Sequence, residues 1–249
     1  MQKIAVVGIS CLFPGAHTPE QFIDNLNRKV DSTRPHSIDQ MGVDPQLFYS
    51  PEKGAVDRFY SRRGGYITDF QLDADGFELD RSTLVKLDDC YQWSLYVARE
   101  ALKDGGYLND PHKRAGCGVI LGNLSFPTKQ SNTLYLPIYR KLVEGAVREL
   151  LADDNLDFEQ PLSAVDTAFE NSRISGYPAS LVAKALGLSD ICFSLDAACA
   201  SSLYAVKLAC DYLNAGMADT MLAGAVSAGD PLFINQGFSI FTAYSENDI

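Results

Sequence analysis

Asp196-Ala197-Ala198-Cys199-Ala200-Ser201-Ser202-Leu203 stands at the junction of two hydrophobic patterns. Before it, residues 191–195 form a compact apolar run that reads as a strand. After it, residues 200–214 read as a helix closed by Gly216, with Leu203, Val206, Cys210 and Leu213 on one side and Tyr204, Leu208 and Tyr212 on another. A helix apolar around most of its circumference is expected to be buried. The junction places Cys199 at the N-terminal end of that helix. There it faces backbone N–H groups that lack intrahelical acceptors, and the positive end of the helix dipole. That setting favours the nucleophilic thiolate, and the same N–H groups can stabilise an oxyanion. Position alone leaves a second reading open, in which Cys199 is a small packed thiol.

Working outward, residues 221–227 and 116–122 read as further buried strands, and so does the β-branched run at 4–9. Helices are expected at 87–103, stopped by Gly105-Gly106, at 180–186, ended by Gly187, and at 134–151, with Pro137 in its first turn. Thr18, Pro19 and Gln21 mark an earlier helix start of capping-box type. Residues 31–80 carry many prolines and glycines and read as an irregular segment with a short strand at 65–70; an acidic loop runs to about residue 170. The glycines of 116–122 resemble half a dinucleotide fingerprint, but no helix start follows them directly. Strands apolar on both faces alternating with helices indicate an α/β fold with a mainly parallel core sheet.

The 249 residues are 46% apolar and 21% charged, which excludes collagen-like, coiled-coil and mainly disordered chains. A net charge of −11 argues against a nucleic-acid partner and against anionic membranes. No apolar run reaches the ~18 residues of a membrane span. Cysteines at 11, 90, 117, 192, 199 and 210 include no C-x-x-C pair, and only His17, His36 and His112 could join them at a metal. Reduced thiols in a cytoplasmic protein without a metal are the expectation. Cys199 alone among the six has the helix-start setting.

The segment 196–203 (DAACASSL) resembles the active-site signature of β-ketoacyl synthases, the condensing enzymes of fatty-acid and polyketide synthesis. The opening KIAVVGISCLFPGAHTPEQF, the helix at 87–107 with Arg99-Glu100-Ala101-Leu102, the segment 171–187 with Arg173-Ile174-Ser175, and Ala223-Gly224-Ala225-Val226 follow the family's order and spacing. EKGAVDRFYSRRGGYI, LDDCYQW and INQGFSIFTAYSEND are similar to ketosynthases of iterative synthases that make polyunsaturated fatty acids. Residues 88–91 depart from the Asp-Pro-Gln-Gln of modular ketosynthases, in keeping with that subgroup.

The resemblance implies a thiolase-like fold, two similar α/β halves stacked as αβαβα layers, in a homodimer. It implies that Cys199 accepts an acyl group from a carrier-protein thioester and that the acyl-enzyme condenses with a malonyl unit after decarboxylation. The backbone N–H of Cys199 would be one oxyanion donor. Phe238 falls where members carry an aromatic beside the acyl pocket, and an ordinary core phenylalanine is the alternative. No metal or organic cofactor is implied, because phosphopantetheine arrives on the acyl carrier protein. Ketosynthases also need two basic residues, normally histidines, from their second half, and none of His17, His36 or His112 lies in a matching motif. Residues 1–249 are therefore expected to be the N-terminal half, ending before the histidine-bearing half that would be its partner. On that reading the face meant for the other half is a large apolar surface, and the chain alone is expected to self-associate. The competing readings are an inactive, chain-length-factor-like dimerisation half, a thiolase or chalcone-synthase relative, and a cysteine hydrolase. Cys199 argues against the first for the parent protein, and the three scattered histidines against the last.

Overall fold

The computed structural model describes residues 3–153, 155–157, 166–173 and 176–245. In chain order the elements are α1 (Pro19–Asn27), β1 (Thr33–Pro35), α2 (Ile38–Met41), β2 (Arg63–Gly65), α3 (Arg81–Leu84), α4 (Asp89–Asp104), α5 (Pro111–Ala115), β3 (Cys117–Asn123), α6 (Lys129–Leu151), α7 (Tyr177–Leu186), β4 (Cys192–Leu195), α8 (Ser201–Asn214), β5 (Thr220–Val226) and α9 (Pro231–Ile240).

β3 organises the core. All seven of its residues are buried, and it pairs in parallel with β4 on one side and β5 on the other. One face of this sheet packs against α4 and α7 through Tyr91, Leu95, Leu102, Leu181, Val182 and Leu186. On the opposite face Ile120 meets Ala205 and Ala209 of α8. Each fully buried leucine in these layers contributes about 1.5–3 kcal/mol. The glycines of β3 are there for space. A Cβ on Gly118 would lie 2.5 Å from Met221 Sδ and 2.8 Å from the Ile191 carbonyl oxygen. Close packing, rather than a phosphate, accounts for their spacing.

The cap of α1 forms much as its residues suggest. Thr18 Oγ1 accepts from the Gln21 N–H at 3.3 Å, while Gln21 Oε1 accepts from the His17 N–H at 2.7 Å, one residue earlier than a capping box requires.

Several expected elements differ. The run 4–9 forms no strand, and Val6 is 85% exposed. Its ties are to the end of α4: the Ile9 N–H donates to Asp104 Oδ2 at 2.9 Å, and a Cβ on Gly8 would meet the Ala101 carbonyl at 2.3 Å. A cleft separates it from the free edge of β5. β4 and β5 are half-exposed because, among the described residues, each has only β3 as a neighbour. α8 is not enclosed either: only Ser201, Ala205 and Ala209 are buried, and Leu203 is 73% exposed. Leu208 and Tyr212 pack partly against the sheet beside Ala205 and Ala209, while Leu203, Tyr204 and Val206 stay exposed.

The strand expected at 65–70 is instead β2, whose Gly65, Gly64 and Arg63 pair antiparallel with Thr33, Arg34 and Pro35 of β1. α6 begins earlier than expected, at a Thr128/Ser131 capping box, so Pro137 lies inside the helix. α7 begins at Tyr177 with Pro178 in its first turn. α9 is an addition to the expected elements, although Asp230 followed by Pro231 is a helix start, with Asp230 Oδ1 accepting from the Phe233 N–H at 3.1 Å. The acidic segment before residue 170 lies partly outside the described residues. No helix among the described residues is long and apolar enough to cross a membrane.

Candidate active site

β4 delivers the chain into a turn that two side chains hold. Asp196 Oδ1 accepts from the Ala198 N–H at 2.9 Å, and Asp196 Oδ2 accepts from the Ser125 N–H at 3.1 Å, in the loop after β3. These backbone donors, Ala198 first, hold the Asp196 carboxyl below its ordinary range. Ser201 Oγ accepts from the Ala197 N–H at 2.9 Å and donates to the Ala198 carbonyl at 2.8 Å. Between them Ala198 adopts φ +51°, a left-handed conformation that costs a non-glycine residue about 1–2 kcal/mol. Such strain persists only where the surroundings over-determine it, as they do here.

Cys199 follows within a single 3-10 turn, Ala198–Ala200, that runs directly into α8. Its thiol is exposed and unbridged. All six cysteines are free. Cys90 and Cys117 are buried, and loss of solvation pushes both thiols up, Cys117 to about 11, so neither offers a thiolate near neutrality. Cys192 is also exposed, but on an edge strand with no helix start behind it.

Cys199 opens onto a cleft of about 1590 Å³. One wall is the segment 3–14 with α4, and the other is β5 with α8. Tyr66, Asn235 and Tyr244 line another part of it. The Tyr66 hydroxyl lies 2.6 Å from His36 Nδ1, and burial, with Tyr244 adding, pushes it up to about 12 against the opposing hydrogen bond from Asn235. Burial lowers the His36 pKa, which keeps the imidazole neutral. Tyr244 is fixed by Tyr60, whose hydroxyl donates to the Tyr244 carbonyl and accepts from the Tyr244 N–H, both at 2.9 Å. Phe238 is half-buried on α9 with its ring centroid 6.0 Å from that of Tyr244. Tyr244 lines the cleft there and Phe238 does not.

The other two histidines are elsewhere. His17 Nε2 lies 3.3 Å from Asp69 Oδ1 beside a separate small pocket, and His112 is in the first turn of α5. The root of the site is a buried network. Asp88 is 3% exposed and accepts from the N–H groups of Cys90 at 2.9 Å and Gln130 at 3.1 Å, joining α4 to α6. Its own N–H donates to Asn171 Oδ1 at 2.8 Å. Burial raises the Asp88 pKa, and those hydrogen bonds oppose the shift. Asp196 and Ser201 both lie in the segment that decides the fold, yet residue type alone does not assign them these roles. Tyr66 and His36 are separated by thirty positions, and no local pattern joins them.

Residues 1–236 match the family model of the β-ketoacyl synthase N-terminal domain. Over 243 residues the chain is 30% identical to a polyunsaturated fatty acid synthase polypeptide of Thraustochytrium sp., covering 97% of this chain and 11% of that protein. It is 28% identical to a second polyunsaturated fatty acid synthase polypeptide of the same organism, over 98% of this chain and 9% of that protein. Among solved structures, the PfaC keto synthase–chain length factor superposes with a TM-score of 0.88 at 50% identity, over 98% of this chain and 26% of that one. The ketosynthase from module 6 of the Bacillus subtilis 168 bacillaene synthase shares the fold, with a TM-score of 0.67 at 20% identity over 97% of this chain and 35% of that one. The chain thus spans about a tenth of the curated relatives and a quarter of the first structure. With its thiolase-like α/β architecture, parallel sheet and strand-to-helix cysteine turn, the chain belongs to the β-ketoacyl synthase family, as its N-terminal domain.

Proposed function

We propose that this domain performs the acyl-accepting step of a ketosynthase in a synthase of long-chain fatty acids or polyketides, with Cys199 as nucleophile. The observation that carries the reading is the position of Cys199. It is an exposed thiol on a strained turn between β4 and α8, open to the large cleft. The Cys199 thiolate attacks the carbonyl carbon of an acyl thioester. A new thioester forms and the carrier thiol leaves, taking the proton that Cys199 gave up. The Cys199 N–H, in the 3-10 turn that leads into α8, is the oxyanion donor.

Decarboxylative condensation with a malonyl thioester follows, and its basic residues come from a second half. Among the described residues none of His17, His36 or His112 hydrogen-bonds to Cys199, since His17 pairs with Asp69 and His36 with Tyr66. The exposed sides of α6 and α8 are where that half, and a second copy in a homodimer, would pack. The acyl carrier protein is the partner that presents phosphopantetheine-bound substrate. Phe238 and Tyr244 support the acyl-chain wall.

A second reading is a structural half without transfer activity, favoured by the similarity to a keto synthase–chain length factor protein and by those same open faces. Intact mass after incubation with a long-chain acyl thioester, beside Cys199→Ala, separates the two. One acyl adduct that is absent from the variant supports acyl transfer. A folded sample with no adduct supports the structural reading.

A further inference from the structure

Ser201 holds the peptide unit that carries the Cys199 N–H. Its hydroxyl donates to the Ala198 carbonyl at 2.8 Å and accepts from the Ala197 N–H at 2.9 Å. The Ser201 N–H donates to the same Ala198 carbonyl, so residue 201 grips it twice. That carbonyl and the Cys199 N–H belong to one planar trans peptide and point in opposite directions. Fixing the carbonyl toward Ser201 therefore turns the N–H away from it. Among the described residues the Cys199 N–H has no backbone acceptor, and Cys199 lines the cleft. Ser201 is itself fixed. It is 5% exposed and seated against Gly122, where one added carbon would lie 2.6 Å from its Cβ. Its two hydroxyl bonds also bracket Ala198 at φ +51°, a conformation that an alanine leaves when released. Such a release would rotate the 198–199 peptide.

We infer that Ser201 is a positioning residue for acyl transfer: its hydroxyl orients the 198–199 peptide so that the Cys199 N–H meets the carbonyl oxygen of the thioester substrate. This deepens the acyl-transfer reading and rests on it. As the bond from Cys199 Sγ to the carbonyl carbon forms, the carbonyl π pair moves onto oxygen, where the N–H stabilises it. The pair returns as the carrier C–S bond breaks, and the leaving thiolate takes the proton that Cys199 gave up. Attack of the same thiolate on iodoacetamide expels iodide and builds no oxyanion. That reaction senses the ionisation and access of the thiol but not the orientation of the peptide.

The test compares the full chain with Ser201→Ala and Ser201→Gly, which both remove the hydroxyl and add no group beside Gly122. Two reactions of Cys199 are timed: acylation by decanoyl pantetheine, read by intact mass, and alkylation by iodoacetamide across pH, read on the Cys199 peptide. Circular dichroism reports whether each variant is folded. Loss of a whole oxyanion donor costs about 10²–10³ in rate, and a tilted donor loses part of that. The expected result is an acylation rate about 10–100-fold lower, while the alkylation rate and its pH profile stay those of the full chain. Unchanged acylation in the variants overturns the inference. An equal fall in both reactions, or failure of both variants to fold, overturns it as well, because Ser201 is then merely structural. Absence of acylation by the full chain, with alkylation of Cys199 intact, sinks the acyl-transfer reading itself and is seen before any substitution is made.

Discussion

Gly122 and Ser201 touch so closely that no side chain fits between them. A Cβ on Gly122 would lie 2.6 Å from Ser201 Cβ and 2.8 Å from the Ser201 carbonyl carbon. The end of β3 therefore sets how near the start of α8 lies to the sheet, and with it the position of the cysteine turn. Gly122→Ala must push backbone, not a flexible side-chain tip. We expect a loss of about 1–3 kcal/mol in stability. Alkylation of Cys199 should also change in rate, measured beside chemical denaturation. An alanine variant with parental stability and parental Cys199 reactivity contradicts this account of the junction.

Asp196 makes the same turn sensitive to acid. Its carboxylate accepts from Ala198 and Ser125, and its folded pKa is lowered relative to the unfolded chain. A group of this kind contributes stability that is fully present above its unfolded pKa, near about 3.9. That contribution is lost as pH falls through the lowered folded value. The turn should hold at neutral pH and loosen only below about pH 4. The Asp196→Asn variant should lose this acid dependence. Hydrogen exchange of the Ala198 and Ser125 amides across pH reads it directly, and equal acid profiles in both proteins would count against the assignment.

What the residues revealed in advance follows from where hydrogen bonds can be inferred. β3 is apolar at every position of its core and buried on both faces, so its pattern had one solution. The run at 4–9 has an equally strong β pattern, yet pattern carries no information about a partner, and its contacts go to the end of α4 instead. α8 shows the same limit in reverse. Apolar residues on two sides predict burial, yet only Ser201, Ala205 and Ala209 are buried and both sides keep exposed apolar residues, Leu203 on one and Tyr204 on the other. Cys199 was legible because its turn is local. The wall of the cleft was not, since Tyr66, Asn235 and Tyr244 come from distant segments that only the fold brings together.

Asp88 is the more consequential carboxylate for stability. It caps α4 and also satisfies the Gln130 N–H at the start of α6. Asp88→Ala leaves the buried Cys90 N–H and the half-buried Gln130 N–H without their acceptor and removes a helix cap. We expect a loss of about 2–4 kcal/mol, read by urea denaturation. A loss below ~0.5 kcal/mol would mean that water replaces the carboxylate and that the network is not structural.

The apolar surface bears on assembly. Beyond its first turns α6 presents Leu136, Ile138, Tyr139, Leu142 and Val143 to solvent, and α8 presents Leu203 and Tyr204. The root of α6 is fixed, since Asn132 Nδ2 donates to Asp230 Oδ2 at 3.0 Å and the Tyr135 hydroxyl donates to the Ser172 carbonyl at 2.9 Å. Contiguous apolar faces of this kind belong to interfaces. At micromolar concentration the chain should self-associate, and Leu142→Glu combined with Leu203→Glu should shift it toward monomer. Because neither side chain is packed in the fold, the stability of the double variant should stay within about 0.5 kcal/mol per site of the parent. Sedimentation velocity checks the first point and thermal melting the second. A parent chain that sediments as a single monomeric species would show that these faces do not drive assembly.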